Sequence, residues 1–254
     1  MAETWYIGID IGSTAAKAIA LGKHASPIRF VVPTGWSSVE TAETLRRQLQ
    51  EYGVDVTRSQ VVATGYGRQA VSYAQKKVTE ITCHAAGCAA VYPTCTVIDI
   101  GGQDTKAIYI EDEAVSDFLM NDKCSAGTGK FIEVMANRLG CTIDGLFTLG
   151  SKGKPLSISS MCTVFAESEI VGYMGQGKAK EDIAAGIIYS VAGKVAQLVQ
   201  QVPLADTVTL TGGLSHIPYM AAVLGEKLRH PVVAYPHGRY AGAYGAALLA
   251  KKIT

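Results

Sequence analysis

The chain has 254 residues, of which 48% are hydrophobic and 18% are charged, the ordinary composition of a globular protein with one or two domains. The net charge is only +1, because 23 lysine and arginine residues face 22 aspartate and glutamate residues, so general binding to nucleic acid or acidic membranes is not expected. We find neither a secretion signal nor an apolar run near the ~18 residues of a membrane-spanning helix, and therefore expect a cytoplasmic protein whose six cysteines are reduced.

Hydrophobic patterning predicts that strands and helices alternate along most of the chain. In the first half the predicted strands are 5–11, 17–21, 28–32 and 60–64, and the predicted helices are 41–52 and 80–91. Ser37 and Glu40 form a capping box before the first of these helices. In the second half the predicted strands are 96–100, 106–110, 114–119 and 207–210, and the predicted helices are 182–202, one ending at 228 and one beginning near 241.

Two segments of the chain repeat each other. Residues 9–17 (IDIGSTAAK) and 98–106 (IDIGGQDTK) align without a gap. Each copy consists of a strand, an aspartate, a glycine-containing turn and a lysine that begins a second strand. The alignment predicts two related halves with a boundary near Pro93.

The repeated turn has the chemistry of a phosphate-binding site. Glycine lets backbone N–H groups approach an anion closely, and neighbouring hydroxyl and amide side chains add donors. The residues assigned to this role are Gly12, Ser13, Thr14, Gly101, Gly102 and Gln103. Carboxylates do not bind phosphate directly, so Asp10, Asp99 and Asp104 are predicted to hold Mg²⁺ and its waters. One Asp-x-Gly alone is a common turn, whereas two aligned copies indicate a cleft that holds a triphosphate from both sides.

A third glycine turn, Thr211-Gly212-Gly213, follows the last predicted strand. Together with the repeated turns it resembles the nucleotide-binding superfamily of actin, sugar kinases and heat-shock ATPases. This resemblance implies an α/β fold of two ribonuclease-H-like domains, each with a mixed five-stranded sheet flanked by helices, with the nucleotide in the cleft between them. The implied first domain covers residues 1–93, with the C-terminal helix 240–254 packing back on it, and the second covers 94–239.

Two further glycine-rich segments are not interpreted as nucleotide sites. The segment 127–130 (GTGK) is similar to a P-loop, but Cys124 stands in place of the first glycine and Phe131 in place of the required serine or threonine. The segment 65–70 (GYGRQA) follows a strand as a dinucleotide fingerprint does. No long helix plainly follows it, and no acidic residue lies about 20 positions further on to bind a ribose.

Two cysteines are candidate metal ligands. Cys124 and Cys162 each precede a predicted helix, and the positive end of a helix dipole favours a thiolate or an anionic cluster. Such a pair is half of a four-thiolate site, which a symmetric dimer would complete. The remaining cysteines are interpreted as buried thiols: Cys83, Cys88, Cys95 and Cys141. An intrachain cluster on the first three stays an alternative, although it lacks a ferredoxin spacing.

The whole sequence resembles one family, the ATP-dependent activators of 2-hydroxyacyl-CoA dehydratases, which are grouped with the ATP-binding subunits of benzoyl-CoA reductase. The matching segments are GIDIGST at 8–14, TGYGR at 64–68, EITCHA at 80–85, DIGGQDTK at 99–106, NDKCSAGTG at 121–129, MCTVFAESE at 161–169 and TGG at 211–213. At Cys83 the chain departs from the family, where this position is usually small and carries no thiol, so a role for Cys83 is open.

The resemblance implies an ATP-driven electron carrier. In the family two identical subunits share one four-iron four-sulfur cluster, and the matching ligand positions here are Cys124 and Cys162. ATP binding and hydrolysis change the angle between the cluster-bearing helices. One electron then passes to a partner iron–sulfur enzyme, either a 2-hydroxyacyl-CoA dehydratase or a double-cubane cluster protein, with ferredoxin or flavodoxin as the donor.

The resemblance also implies roles for residues around the nucleotide. Lys17 and Lys106 would neutralise phosphate charge, or else pair with nearby carboxylates. Gln103 or Asp104 would position the attacking water, and Asp10 would act through Mg²⁺.

Two other functions fit the same superfamily. A sugar or amino-sugar kinase would need a carboxylate base beside its substrate, usually in an Asn-Asp pair near the end of the first domain, where this chain has TEITCH at 79–84. A non-enzymatic nucleotide sensor or actin-like filament subunit is the other alternative, although the chain is too short for the large insertions of actin.

Overall fold

The computed structural model describes residues 3–158 and 162–253 and divides into two compact units. Unit 1 contains the chain up to Cys95, Ile110–Ser116 and the chain from Arg239 onward. Unit 2 contains Thr96–Tyr109 and Asp117–Gly238. Met161, the first residue of the motif at 161–169, lies outside the described residues.

Each half of the chain contributes strands and helices in alternation. The strands are β1 (Trp5–Ile11), β2 (Ala15–Gly22), β3 (Ile28–Pro33), β4 (Gln60–Thr64), β5 (Lys76–Lys77), β6 (Cys95–Ile100), β7 (Thr105–Glu111), β8 (Ala114–Asn121), β9 (Val208–Gly212) and β10 (Val232–Ala234). The helices are α1 (Ser38–Glu51), α2 (Glu80–Ala89), α3 (Gly129–Arg138), α4 (Ile143–Gly150), α5 (Thr163–Gly175), α6 (Lys180–Val199), α7 (Pro218–Leu228) and α8 (Ala241–Ala250).

Unit 1 is built on a mixed sheet with the strand order β3-β2-β1-β4-β5. β1 runs antiparallel to β2 and parallel to β4, so Asp10 at the end of β1 is in register with Lys17 on one side and Thr64 on the other. The predicted capping box is confirmed, because the Ser37 side chain accepts a hydrogen bond from the Glu40 backbone N–H at the start of α1. α8 packs against β1, β4 and α2.

The second sheet has the order β10-β9-β6-β7-β8, and β6 and β9 are parallel neighbours. This pairing sets Asp99 in register with Thr211 and Ile100 with Gly212. The core of unit 2 is formed by apolar side chains from β6, β7 and β9 and from α3, α4, α6 and α7. Two mixed five-stranded sheets flanked by helices are therefore present, as predicted.

α6 is long and apolar enough to cross a membrane by length and composition alone. Most of its apolar window is buried inside the protein, which is typical of a core helix. The length and composition of α6 are therefore weak evidence that it spans a membrane.

Three elements were not predicted from the sequence. β5 and β10 have two and three residues, and each exists because it pairs with a parallel neighbour, β4 or β9. α4 begins after Thr142, whose hydroxyl accepts a hydrogen bond of 3.1 Å from the Gly145 N–H. β5 and β10 depend on long-range pairing, and α4 is a short helix that depends on its cap. Such elements are too short to show a clear hydrophobic periodicity in the sequence.

Candidate functional site

In unit 1 a buried aspartate stands at the start of the first repeated turn. Asp10 is 6% exposed, and the Lys17 ammonium lies 3.5 Å from its Oδ2 atom. The Gly12 N–H donates to the Ala15 carbonyl (3.2 Å), and the Thr34 hydroxyl donates to the Gly12 carbonyl (2.8 Å). The turn is thus held at Gly12, while Ser13 is half-buried and Thr14 exposed.

In unit 2 the lysine of the second repeated turn makes shorter ion-pair contacts than Lys17 does. Lys106 is buried, and its ammonium lies 2.7 Å from Asp104 Oδ2 and 3.3 Å from Asp99 Oδ2. The Gly101 N–H donates to the Asp104 carbonyl (2.9 Å). Gln103 is exposed at the tip of this turn. Of the two lysines, Lys106 forms a buried ion pair with two carboxylates, whereas Lys17 contacts one carboxylate and is partly exposed.

A Thr-Gly pair stands at the carboxyl end of the parallel neighbour strand in both units, β4 and β9. Gly65 follows β4 with φ +88°, and Gly212 ends β9 with φ +86°. A Cβ atom on Gly65 would lie 2.5 Å from Asp10 Oδ1, and one on Gly212 would lie 2.9 Å from Asp99 Oδ1. Only glycine permits this backbone to approach the carboxylates. The sequence pattern that could have predicted this feature is a Thr-Gly dipeptide at the end of a strand, which occurs twice, at 64–65 and 211–212.

The P-loop-like segment 127–130 has another structural role. The Gly129 and Lys130 N–H groups, at the start of α3, donate to the Gly101 and Gly102 carbonyls at 2.9 and 2.8 Å. These donors cannot also serve a phosphate, in agreement with the rejection of a P-loop. The segment 65–70 itself ends in a short turn, Arg68–Ala70, and the next element is the strand β5 and not a long helix.

Cys124 and Cys162 are both exposed, and their segments are joined. The hydroxyls of Ser125 and Thr163, the residues directly after the two cysteines, share a hydrogen bond of 2.6 Å. Arg138 on α3 forms an ion pair with Glu167 on α5 beside them.

The placement of these two cysteines relative to helices differs from the prediction in one respect. Cys162 caps the N-terminus of α5, as predicted. Cys124 does not lie at a helix N-terminus, because α3 begins five residues later at Gly129. The contact between the first turn of α3 and the carbonyls at 101–102 determines where that helix starts.

The other cysteines are less accessible. Cys83, Cys88 and Cys95 are buried and Cys141 is half-buried. Burial raises the pKa of the Cys83 thiol to about 12, with the Asp10 carboxylate adding to the effect, and raises the pKa of Cys95 to about 11. Within residues 3–158 and 162–253, no group of three or more His, Cys, Asp and Glu side chains is arranged to hold a metal ion.

Comparison with known proteins identifies relatives along the full chain. The "(R)-2-hydroxyglutaryl-CoA dehydratase activating ATPase" of Acidaminococcus fermentans is 41% identical over 252 residues, covering 97% of this chain and 96% of the relative. A crystal structure of the A. fermentans (R)-2-hydroxyglutaryl-CoA dehydratase component A has a TM-score of 0.91 at 40% identity, with 98% of both chains covered.

A second similar structure is the activator of the 2-hydroxyisocaproyl-CoA dehydratase from Clostridium difficile with bound ADPNP. Its TM-score is 0.90 at 34% identity, and 98% of both chains is covered. A ROK family glucokinase from Streptomyces griseus, at 17% identity and a TM-score of 0.62, shares the fold alone. The family described as the BadF/BadG/BcrA/BcrD ATPase family matches residues 7–250, and the chain therefore belongs to this ATPase family, in agreement with the resemblance found in its sequence.

Proposed function

We propose that this ATPase uses ATP hydrolysis to deliver one low-potential electron to a partner iron–sulfur enzyme. The observation that carries the proposal is the 2.6 Å hydrogen bond between Ser125 and Thr163, which brings the segments of two exposed cysteines together. Two exposed thiols on hydrogen-bonded neighbouring segments of a reduced protein are suited to binding a metal cluster.

The cysteines present fit half of a four-iron four-sulfur site. Cys124 and Cys162 of one subunit, with the same two residues of a second copy, would supply its four thiolates. Such a cluster supplies one-electron chemistry at potentials that reach about −700 mV. Within the described part of the chain, the next cysteines are buried or half-buried, which favours a cluster shared between copies over one within the chain.

The surface of α5 supports a homodimer. Val164 and Phe165 lie in the first turn of α5, just after Thr163, and each is 65% exposed. Further along the helix Val171 is exposed, and a Cβ atom on Gly172 or Gly175 would meet open space. An exposed apolar helix face that begins at a candidate cluster ligand is suited to pack against its own copy, because small residues let two helices approach closely.

The two repeated turns are assigned to the nucleotide. Ser13 and Thr14 in unit 1 and Gly102 in unit 2 would bind phosphate through N–H and hydroxyl groups. The Gly12 and Gly101 N–H groups already donate to the Ala15 and Asp104 carbonyls, so these two glycines would serve by letting the turn backbone approach the phosphate closely. The third turn, Thr211-Gly212-Gly213, would bind on the nucleoside side. Mg²⁺ would be held, through its waters, by the carboxylates at positions 10, 99 and 104.

We assign different roles to residues that the sequence could not separate, on the basis of their ion pairs. Lys106 contacts both Asp99 and Asp104, which supports a role in holding these carboxylates in place. Lys17 is partly exposed and is assigned to phosphate charge. The Asp104 carboxylate is engaged by Lys106, whereas Gln103 is exposed, so we assign the attacking water to Gln103.

The names of the relatives support a partner enzyme of a particular class. Two of them are activators of 2-hydroxyacyl-CoA dehydratases by name, so we assign a dehydratase of this class, or a double-cubane cluster protein, as the partner. A ferredoxin or flavodoxin would supply the electron. The sugar-kinase alternative has only the fold in its favour.

The proposal is tested by measuring iron and acid-labile sulfide per chain, together with the mass of the assembly, on protein purified without oxygen. About two irons per chain in a dimer are expected, since four irons would be shared by two subunits. About four irons per chain would instead indicate an intrachain cluster. A protein that binds no iron after anaerobic reconstitution would contradict the electron-transfer function and favour a screen of kinase substrates.

A further inference from the structure

We propose that Thr105 is the positioning residue that transmits the state of the nucleotide turn at 101–104 to the Cys124 segment. This inference rests on the proposed function, because it assigns phosphate to the turn and the cluster to Cys124. Thr105 is 1% exposed, and its hydroxyl donates a hydrogen bond of 2.7 Å to the Gly127 carbonyl. Thr105 follows Asp104 directly and precedes Lys106, so it moves with the ion pair of the turn.

Among the described residues, three hydrogen bonds join the nucleotide turn and the adjacent Thr105 to the end of the Cys124 segment and the start of α3. Two of them are backbone bonds, from the Gly129 and Lys130 N–H groups to the carbonyls at 101 and 102. The third is the bond from Thr105 to Gly127, and it alone uses a side chain. It can therefore be removed by substitution without changing the backbone.

The Cys124 segment is internally held, so a displacement at Gly127 reaches Cys124. The Asn121 side-chain amide donates to the carbonyls of Cys124 (2.9 Å) and Ala126 (3.1 Å). The hydroxyl of Thr128 donates to the Ser125 carbonyl (2.6 Å). These bonds close the segment 121–128 into one body.

The same segment reaches the second cysteine. Ser125 and Thr163 share their hydroxyl hydrogen bond, and Thr163 is the first residue of α5 after Cys162. The contacts therefore run from Thr105 through Gly127 and Ser125 to α5.

The space beside the link allows the segment to move. A cavity of about 300 Å³ is lined by Thr105, Cys124 and Gly127 on one side and by α6 residues on the other. A packed core resists displacement, whereas a cavity next to a hydrogen-bonded link leaves room for a second arrangement.

The test compares Thr105→Val, which keeps the shape and removes the donor, with Thr105→Ser, which keeps the hydroxyl. Thr209→Val is the matched control, because Thr209 is also buried in the second sheet and donates to a carbonyl, that of Val233. Hydrogen exchange of residues 121–128 and 163–170 is measured in the dimer with ADP and with ADPNP, alongside the rate at which a chelator removes iron.

In the wild type and in Thr209→Val, exchange at 121–128 and the chelation rate should both depend on the nucleotide. In Thr105→Val that dependence should weaken about fivefold or more, as for a lost coupling between sites, while the Kd for nucleotide is unchanged. Thr105→Ser should restore it. A Thr105→Val protein that responds to nucleotide as the wild type does would overturn the inference.

If Thr105→Val does not fold, Ser125→Ala decides the question. This variant keeps the bond from Thr105 to Gly127 and removes the bond to Thr163, so 121–128 should still respond to nucleotide while 163–170 should not. A response that persists at 163–170 would overturn the proposed path. Hydrogen exchange can be measured without a cluster. An iron-free protein would therefore contradict the proposed function, while the exchange response would still test the coupling between Thr105 and the Cys124 segment.

Discussion

Thr211 donates a hydrogen bond of 2.9 Å to the buried Asp99 carboxylate, whereas Thr64, which occupies the equivalent position beside Asp10, makes no such bond to a carboxylate, and its buried hydroxyl interacts with the Cys83 thiol instead. The two halves of the chain therefore repeat the same strand pairing but not the same polar contacts. Asp99 is held by Thr211 and Lys106, while Asp10 has the longer contact of 3.5 Å with Lys17. The first aspartate is thus the less constrained of the pair.

The two threonines should respond in opposite ways to the same substitution. Thr211→Val removes a bond to a charged acceptor and should lower the free energy of unfolding by about 1.5–3 kcal/mol. Thr64→Val removes a buried hydroxyl that interacts only weakly, with the Cys83 thiol, and keeps the volume, so it should be neutral or slightly stabilising. Urea unfolding measures both, and equal losses in the two variants would contradict the difference between the halves.

The two repeated lysines should also differ. Lys106→Met would leave the buried Asp99 and the half-buried Asp104 without their cation, which should cost about 3–5 kcal/mol of folding free energy, mostly through Asp99. Lys17→Met should cost only about 1 kcal/mol, because the side chain is 19% exposed and its ion pair is partly solvated. It should weaken ATP binding about tenfold through the lost phosphate contact. Calorimetric titration with ADPNP and urea unfolding separate the two effects, and a Lys17→Met protein that binds ADPNP normally would remove Lys17 from the nucleotide site.

Sequence patterning predicted the features that depend on neighbouring residues. The strands of the repeat, the turn after Asp10 and Asp99 and the cap of α1 are all local, and the structure contains them. The role of Gly65 could not be predicted, because it requires knowing that β4 lies parallel to β1. The start of α3 at Gly129 is likewise accompanied by a tertiary contact with the carbonyls at 101 and 102, which leaves the helix N-terminus five residues after Cys124.

Adjacent glycines of the third turn should separate stability from nucleotide binding. Gly212→Ala places a Cβ atom 2.3 Å from the Ile100 carbonyl oxygen at φ +86°, so it should destabilise the fold by about 1–3 kcal/mol. A Cβ atom on Gly213 meets no other atom within 4 Å, so Gly213→Ala should leave stability nearly unchanged.

If the third turn faces the nucleotide, Gly213→Ala should nevertheless weaken ADPNP binding. Gly193→Ala is the control, because its Cβ atom also meets open space but lies on α6. Thermal unfolding and calorimetric titration are the measurements. Normal binding by Gly213→Ala would remove this turn from the nucleotide site.

The buried thiols should reduce stability at alkaline pH. Burial raises the pKa of Cys83 to about 12, while in the unfolded chain the thiol ionises near its ordinary value of about 8.5. Below that value both states hold the proton and pH has no effect. Above it the unfolded state loses its proton first, so the free energy of unfolding should fall by at most about 1.4 kcal/mol per pH unit until about pH 12.

Urea unfolding under reducing conditions between about pH 8.5 and 11 measures this slope. In Cys83→Ala the free energy of unfolding should fall less steeply with pH across this whole range, because one buried thiol no longer ionises on unfolding. Cys95→Ala should also show a smaller slope over this range, because the pKa of that thiol is raised to about 11. A Cys83→Ala protein with the wild-type slope would mean that Cys83 ionises alike in both states.

Replacing the exposed cysteines tests the cluster assignment at the level of single atoms. Cys124→Ser and Cys162→Ser keep the side-chain shape and remove the thiolate, so each should reduce iron from about two per chain to near zero and loosen the dimer. Nucleotide affinity should be retained, because neither residue belongs to the repeated turns.

Cys141→Ser is the matched control for this pair. Cys141 is half-buried in unit 2 and its thiol donates to the Ala136 carbonyl, so the variant should keep both iron and dimer mass. Iron analysis, the visible spectrum and light scattering under anaerobic conditions give the comparison. Full iron content in Cys124→Ser would show that the cluster, if bound, uses other ligands, and loss of iron in Cys141→Ser alone would move the site to the core of unit 2.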